Sequence, residues 1–455
     1  MAVWRSFVLV VGSLAFFVAQ ASAQVLLRDT EIEEFLYEMS EPVWQAAGLP
    51  EGGVEILLIG DPSLNAFAGA SSGLKMGVHT GLITQAKTPN EIEGVIAHEA
   101  GHLAGGHSAR TAEVFAKAGK QQMLGLLLGA ALLAVGAPPE AGIGAIGLGQ
   151  SAALNNYLTY SRGQESAADQ AAITYLDHIG HSSAGLLDFF DNLRNQQLIR
   201  ARAPVPYLQT HPLAVQRVAR LRSRAEASPY WEWRDDAEAI AELRLIQAKI
   251  HGFLDEPQVA LRRYPLSDQS DAARYARAVA YYRASDLASA TREIDTLLSA
   301  YPDNPYYHEL KGQMLFEHGK IAESIPAHRQ STLLKPGAPL LQVNLARALI
   351  ATDRDAEAKE AIGILKVALG KERDNAFGWS LLARAHSTLR QDDYASLAQA
   401  EAAYHIGDVL GAHRFATLAK EKFSAGTPEH QQALDIILAT AEQARDLGRR
   451  AQRRR

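Results

Sequence analysis

The residues with the most chemistry in the smallest space are His98-Glu99-Ala100-Gly101-His102. On an α-helix, side chains four residues apart lie one turn above each other on the same face. Two imidazoles so placed can grip a single metal ion, while Glu99 stands beside them to handle a proton. This is the H-E-x-x-H spacing that zinc hydrolases use.

Two histidines leave a metal site short of a ligand, and the sequence offers one further on. Within Ser161-Arg162-Gly163-Gln164-Glu165-Ser166-Ala167-Ala168-Asp169, Glu165 and Asp169 share a helical face, and small alanines allow close approach. A carboxylate from a second helix would complete the site. Asp169 could then accept the second N–H of a ligand histidine and fix its tautomer. A solvated acidic face fits this alanine-rich, nearly uncharged segment poorly. Thr210-His211-Pro212 precedes a helical pattern of Val215, Val218, Ala219 and Leu221 that also carries Arg217. His211 sits where a loop becomes a helix, which suits either a cap or a residue reaching into the site.

The elements that must position these groups are legible in outline. Thr88-Pro89-Asn90-Glu91 reads as a capping box with proline at the first helical position. Ile92, Val95, Ile96, Glu99, His102 and Leu103 then fall on one side of the metal helix. Charged groups inside that apolar stripe cost free energy unless compensated, and a zinc ion would compensate them. Upstream, residues 29–47 have helical spacing, 54–59 reads as a strand, and Asn65-Ala66-Phe67-Ala68 and Met76-Gly77-Val78-His79 read as two more. Two readings of this small sheet stand level: an edge that takes substrate as an added strand, or plain sheet core.

Composition bounds the rest. At 455 residues the chain exceeds one compact core. A formal net charge of −6 gives no nucleic-acid footprint. With no cysteine, any metal must be held by histidine and carboxylate. Arg5, the apolar run Ser6 to Ala19 and Ala21-Ser22-Ala23 form a signal peptide over residues 1–23, with cleavage after Ala23. Its loss takes the net charge to −7, and a bacterial periplasm is the expected compartment, reached without a lipoprotein anchor. Residues 24–228 form the expected metallopeptidase domain. Within it, 119–156 holds Met123 to Gly136, an uncharged run about 21 Å long as a helix, short of the ~30 Å hydrocarbon core. It reads as a buried helical hairpin, with peripheral membrane contact or a lid as the alternatives. Residues 229–448 change texture to alanine-rich helices. Pro302 and Pro336 are 34 residues apart, as are Ala278, Gly312 and Ala346, which is the tetratricopeptide period. Ala290, Ser324 and Ala358 mark the second helices, Gly319 an interhelical turn, and the register slips before Phe377-Gly378-Trp379. About four repeats plus capping helices are expected. The basic tail 449–455 reads as a disordered end.

The fold class is thus mainly α: a zincin-like α+β domain with a small sheet, followed by an α-solenoid of tetratricopeptide-like repeats. On His98-Glu99-x-x-His102, Ser161-Arg162-x-x-Glu165-x-x-Ala168-Asp169, and Thr210-His211-Pro212 with Arg217, the sequence resembles the gluzincin peptidases that include HtpX and the CAAX prenyl proteases. Asn65-Ala66-Phe67-Ala68 is similar to the family's substrate-edge strand. A signal peptide with C-terminal repeats most resembles its periplasmic branch acting in β-barrel assembly. Unlike HtpX, the chain lacks clear multiple spanning helices. The resemblance implies one Zn2+ per chain on His98, His102 and Glu165, with Glu99 as catalytic base. His211 would be a fourth ligand that keeps the site latent, and Asp169 and Arg217 would lend support. A metzincin would need a third histidine where Ser108 stands; His107 is one place short. His211, Arg217 and Tyr160 are all candidates for the oxyanion donor. The implied function is zinc-dependent proteolysis in quality control and assembly of outer-membrane proteins. Envelope proteins or peptides would be the substrates, and the β-barrel assembly machinery a partner for the repeats. The alternative is a chaperone or assembly adaptor with latent proteolysis.

Overall fold

The computed structural model describes residues 25–70, 73–107, 123, 161–199, 206–213 and 215–453. The expected signal peptide of residues 1–23, most of the 119–156 segment and Tyr160 lie outside the described residues. The chain divides into two compact units, one of Met1–Arg28 with Glu33–Leu243, the other of Asp29–Ile32 with Arg244–Arg455.

In the first unit, β1 (Leu26–Leu27), α1 (Thr30–Ala46), β2 (Val54–Ile59), β3 (Ala66–Gly69) and β4 (Leu74–His79) come first. The strands form one sheet in the order β1-β2-β4-β3, with β2 and β4 parallel and the other pairs antiparallel. A parallel pair cannot close through a tight hairpin, and here β3 fills the crossover. That leaves β3 as an outer strand. Phe67 pairs with Gly77 of β4. A Cβ at Gly77 would come within 2.4 Å of the Phe67 ring, so glycine there lets the ring lie flat on the sheet.

After α2 (Thr80–Gln85) comes the metal helix α3 (Pro89–Ala104), then α4 (161–179), α5 (Ala184–Ile199), α6 (Pro206–Thr210) and α7 (Val215–Glu226). Every residue of α3 from Pro89 to Leu103 is buried. The one-sided stripe expected from the sequence is therefore a helix enclosed all round, packed against β3 and α5. The capping box is also different. The Thr88 side chain makes no cap hydrogen bond. Its hydroxyl is engaged by Asp235, whose Oδ2 accepts from the Asn90 N–H at 3.1 Å. Glu91 reaches back to the Lys87 N–H, one residue earlier than a capping box requires. A carboxylate from far along the chain has replaced the local hydroxyl at the positive end of the helix.

The α3–α5 crossing is set by glycines. A Cβ at Gly94 would meet the Leu186 backbone nitrogen at 2.7 Å, and one at Gly185 would sit 2.3 Å from the Asn90 carbonyl oxygen. Asn90 clamps the same crossing, donating to Ser182 O at 2.8 Å and accepting from the Gly185 N–H at 2.9 Å.

Helix α8 (Ala237–Leu254) spans the division at Leu243, and in the second unit it and α9 (Pro257–Arg263) lead into five helix–turn–helix pairs among the described residues. These are α10 (Asp271–Arg283) with α11 (Leu287–Ala300), α12 (Pro305–Glu317) with α13 (Ile321–Leu334), and α14 (Pro339–Ile350) with α15 (Asp355–Lys371). Then follow α16 (Ala376–Thr388) with α17 (Asp392–His405), and α18 (Val409–Lys420) with α19 (Pro428–Arg453). The small positions Ala278, Ala290, Ser324, Ala346 and Ala358 are all buried. The register slip has a simple cause: α15 runs 17 residues where α11 and α13 run 14. The basic stretch continues α19 as far as Arg453 instead of fraying, with Arg449 paired to Asp446. Arginine is a good helix former. Among the described residues, no helix is long and apolar enough to cross a membrane.

Gly94→Ala should force the α3 and α5 backbones apart and cost about 1–3 kcal/mol. Chemical denaturation measures this; an unchanged midpoint would mean that the crossing is not close-packed.

Candidate metal centre

Helix α3 delivers His98 and His102 to one point, α4 delivers Glu165, and the turn after α6 delivers His211. One ligand atom from each of these four buried residues lies within 4.8 Å of every other. The Nε2 atoms of His98 and His102 are 3.1 Å apart. Glu165 Oε2 is 3.5 Å from His98 Nε2, and its Oε1 is 3.4 Å from His102 Nε2. His211 Nδ1 stands 3.0 Å from Glu165 Oε1 and 3.4 Å from His98 Nε2. Glu99, 1 % exposed, has its Oε1 3.6 Å from His211 Nε2 and makes no hydrogen bond with that atom.

Behind the ligands sits a buried charge network. Arg217 on α7 grips Asp169 with two parallel bonds, Nε to Oδ2 at 2.6 Å and an Nη2 to Oδ1 at 2.7 Å. Its Nη1 approaches Glu165 Oε2 at 2.8 Å and donates to Pro212 O at 3.2 Å, and the guanidinium lies over the Phe190 ring. With four of its five N–H groups directed at Asp169, Glu165 and Pro212, Arg217 is placed to support the site. Asp169 Oδ1 is 3.0 Å from His98 Nδ1, a close charge contact rather than an aligned hydrogen bond. Thus Asp169 stands at the far nitrogen of a ligand histidine, where an orienting carboxylate belongs.

The electrostatics ask for a cation. Burial alone would raise the Glu165 and Asp169 carboxyls. Three imidazoles hold Glu165 far below the usual carboxylate range, and Arg217 with His98 lowers Asp169. Full burial opposes charge on His98, yet Asp169 and Glu165 outweigh it and push its pKa up to about 9. Burial keeps the more exposed His102 below its ordinary value. Glu99, Glu165 and Asp169 therefore face one guanidinium, and a proton on His98 supplies only one of the two positive charges still missing. Converging imidazole and carboxylate atoms with a deficit of positive charge fit a divalent metal ion.

Asn65, Ala66 and Phe67 lie at the outer strand, beside the metal helix rather than within the ligand cluster. Asn65 Nδ2 contacts His79 Nε2 at 3.4 Å, and Ser63 Oγ contacts His79 Nδ1 at 3.0 Å. Asn65 Oδ1 is buried without a partner.

Two residues escaped the sequence reading. Tyr207 is fully buried, stacks on His211 with centroids 4.5 Å apart, and has a hydroxyl without a hydrogen bond. Its place four residues before His211 was the available signal. His107, set aside as a ligand, contacts His102 at 2.8 Å.

Residues 27–225 match the model of peptidase family M48. These residues form an M48 peptidase domain. The chain is 26% identical over 383 residues to the "Beta-barrel assembly-enhancing protease" of Escherichia coli (strain K12), covering 83% of this chain and 76% of that one. It is 32% identical over 168 residues to "Metalloprotease LoiP" of the same organism, covering 36% of this chain and 60% of that one. A crystal structure of MamA overlaps 38% of this chain and 96% of that one at 18% identity, with a TM-score of 0.29. The M48 match and the two protease relatives make the chain a metallopeptidase.

Arg217→Leu would leave Asp169 and Glu165 buried without their guanidinium and should cost about 3–5 kcal/mol. Arg217→Lys should recover only part, since one ammonium cannot reproduce the fork. Denaturation of the metal-free protein decides; a loss under about 1 kcal/mol is inconsistent with a buried pair.

Proposed function

We propose that this chain is a periplasmic zinc endopeptidase for envelope proteins, acting in quality control and assembly of outer-membrane β-barrels. The observation that carries the catalytic reading is the meeting of His98, His102, Glu165 and His211 in one buried cluster beside Glu99. The likeness to the assembly-enhancing protease over most of the chain supports the biological setting, as does the signal-peptide pattern. The helix pairs of residues 271–453 are of a kind that binds peptides and partner proteins. In this reading they recruit clients or the β-barrel assembly machinery.

His98, His102 and Glu165 would hold the ion, with Asp169 orienting His98 and Arg217 holding Asp169 and Glu165 charged. Zinc supplies Lewis-acid polarisation of the scissile carbonyl and acidification of water. Glu99, whose Oε1 has no competing hydrogen bond, takes the water proton and returns it to the leaving amine. The outer edge of the sheet from Asn65 to Phe67 would hold the substrate backbone as an added strand. His211 lies between the ligand carboxylate and the base, where it blocks the reacting groups and keeps the enzyme latent.

Glu99→Gln should retain zinc and fold but lower cleavage of an unfolded envelope protein by about 10²–10⁴-fold; persisting cleavage would overturn the protease assignment. His211→Ala removes a bond to a charged group worth about 1.5–3 kcal/mol, and should raise cleavage by roughly ten- to a hundredfold. Unchanged or lower activity of that variant would instead assign His211 to catalysis.

A further inference from the structure

We infer that His107 is a positioning residue of the metal centre, holding the His102 ring so that its Nε2 faces the ion. This rests on the metal-site reading above and adds a residue to it. The two ring nitrogens of His102 have different partners. Nε2 looks inward, 3.1 Å from His98 Nε2 and 3.4 Å from Glu165 Oε1. Nδ1 looks outward, 2.8 Å from His107 Nδ1, with the two rings edge-on.

One of two nitrogens at that distance must carry the hydrogen and the other must accept it. A ligand Nε2 has to be bare, so the His102 hydrogen sits on Nδ1 and is donated to a bare His107 Nδ1. His107 then carries its own hydrogen on Nε2. In this arrangement His107 sets the tautomer of His102 and the angle of its ring, as Asp169 faces the outer nitrogen of His98.

The chain is built to put His107 there. The metal helix ends at Ala104, and Gly106 reverses the backbone with φ +62°, a conformation that disfavours side chains. A Cβ at Gly105 would lie 2.6 Å from His107 Nε2, so only glycine lets the ring fold back. His107 is 8 % exposed. Its carbonyl accepts from Gln164 Nε2 at 3.1 Å, next to the ligand Glu165. The residue thereby joins the end of the helix that carries His102 to the helix that carries Glu165.

The test is the zinc dissociation constant of the full chain, by competition with a chromophoric chelator. His107→Leu should bind zinc about 10–100-fold more weakly. His107→Asn, whose terminal amide overlays Nδ1, should restore binding, whereas His107→Gln, which overlays Nε2, should behave like leucine. Leucine binding as tightly as wild type, or asparagine as weakly as leucine, would overturn the inference. If the leucine variant does not fold, the asparagine and glutamine pair decides alone, and equal affinities overturn it. His102→Ala is the reference: wild-type affinity there would bring down the metal-site reading itself, whatever His107 does.

Discussion

Arg217 against Asp169 and Glu165 is the contact on which the first unit depends. Two carboxylates at 5 % exposure and a guanidinium at 7 % are costly to take out of water, and only close, bidentate geometry offsets that cost. Arg217 comes from α7 and both carboxylates from α4, so the pair forms only once those helices have docked. With Glu99 also buried, three carboxylates face one guanidinium, and the cluster is two positive charges short. The carboxylates raise the His98 pKa to about 9, and its proton supplies one of the two. A divalent cation answers the same deficit without a titrating group.

Such a cluster tolerates little error in helix rotation, because a slip of one residue turns an α-helix by about 100° and carries both histidines away from Glu165. The opposite end of the metal helix explains how the rotation is fixed. Asn90 donates to Glu93 and to Ser182 O, and Glu93 is bonded to His181 at 2.7 Å, whose ring stacks on Trp233. Asp235 closes the helix start. Polar bonds pin one end, close glycine contacts set the middle, and charge holds the other end.

What could be read from the sequence was what repeats with a helical period. His98 with His102, and Glu165 with Asp169, were legible because i,i+4 spacing alone puts them on one face. Ala278, Gly312 and Ala346 were legible for the same kind of reason at 34 residues. What depends on a distant partner was not. The capping box at Thr88 fitted the local pattern, but Asp235 displaces it. The helix-pair turns place Ser285, Asp353 and Arg390 at positive φ in the role that Gly319 plays, and none of those three residue types announces it. His107 was hidden because its contact arises from a two-glycine reversal, which spacing along a straight helix cannot show.

His211 is held in place by more than Glu165. His211 is tied to Tyr207 twice, by ring stacking and by its own N–H donating to the Tyr207 carbonyl at 2.8 Å. Any displacement of His211 as a plug must therefore carry Tyr207 with it, out of its edge-on contact with Phe189. That contact and the burial of the phenol favour the closed form. Against them, the Tyr207 hydroxyl and Glu99 Oε1 are both buried without hydrogen bonds. On the proposed reading of His211 as a plug, release is therefore a joint movement of His211 and Tyr207 rather than the turn of one ring.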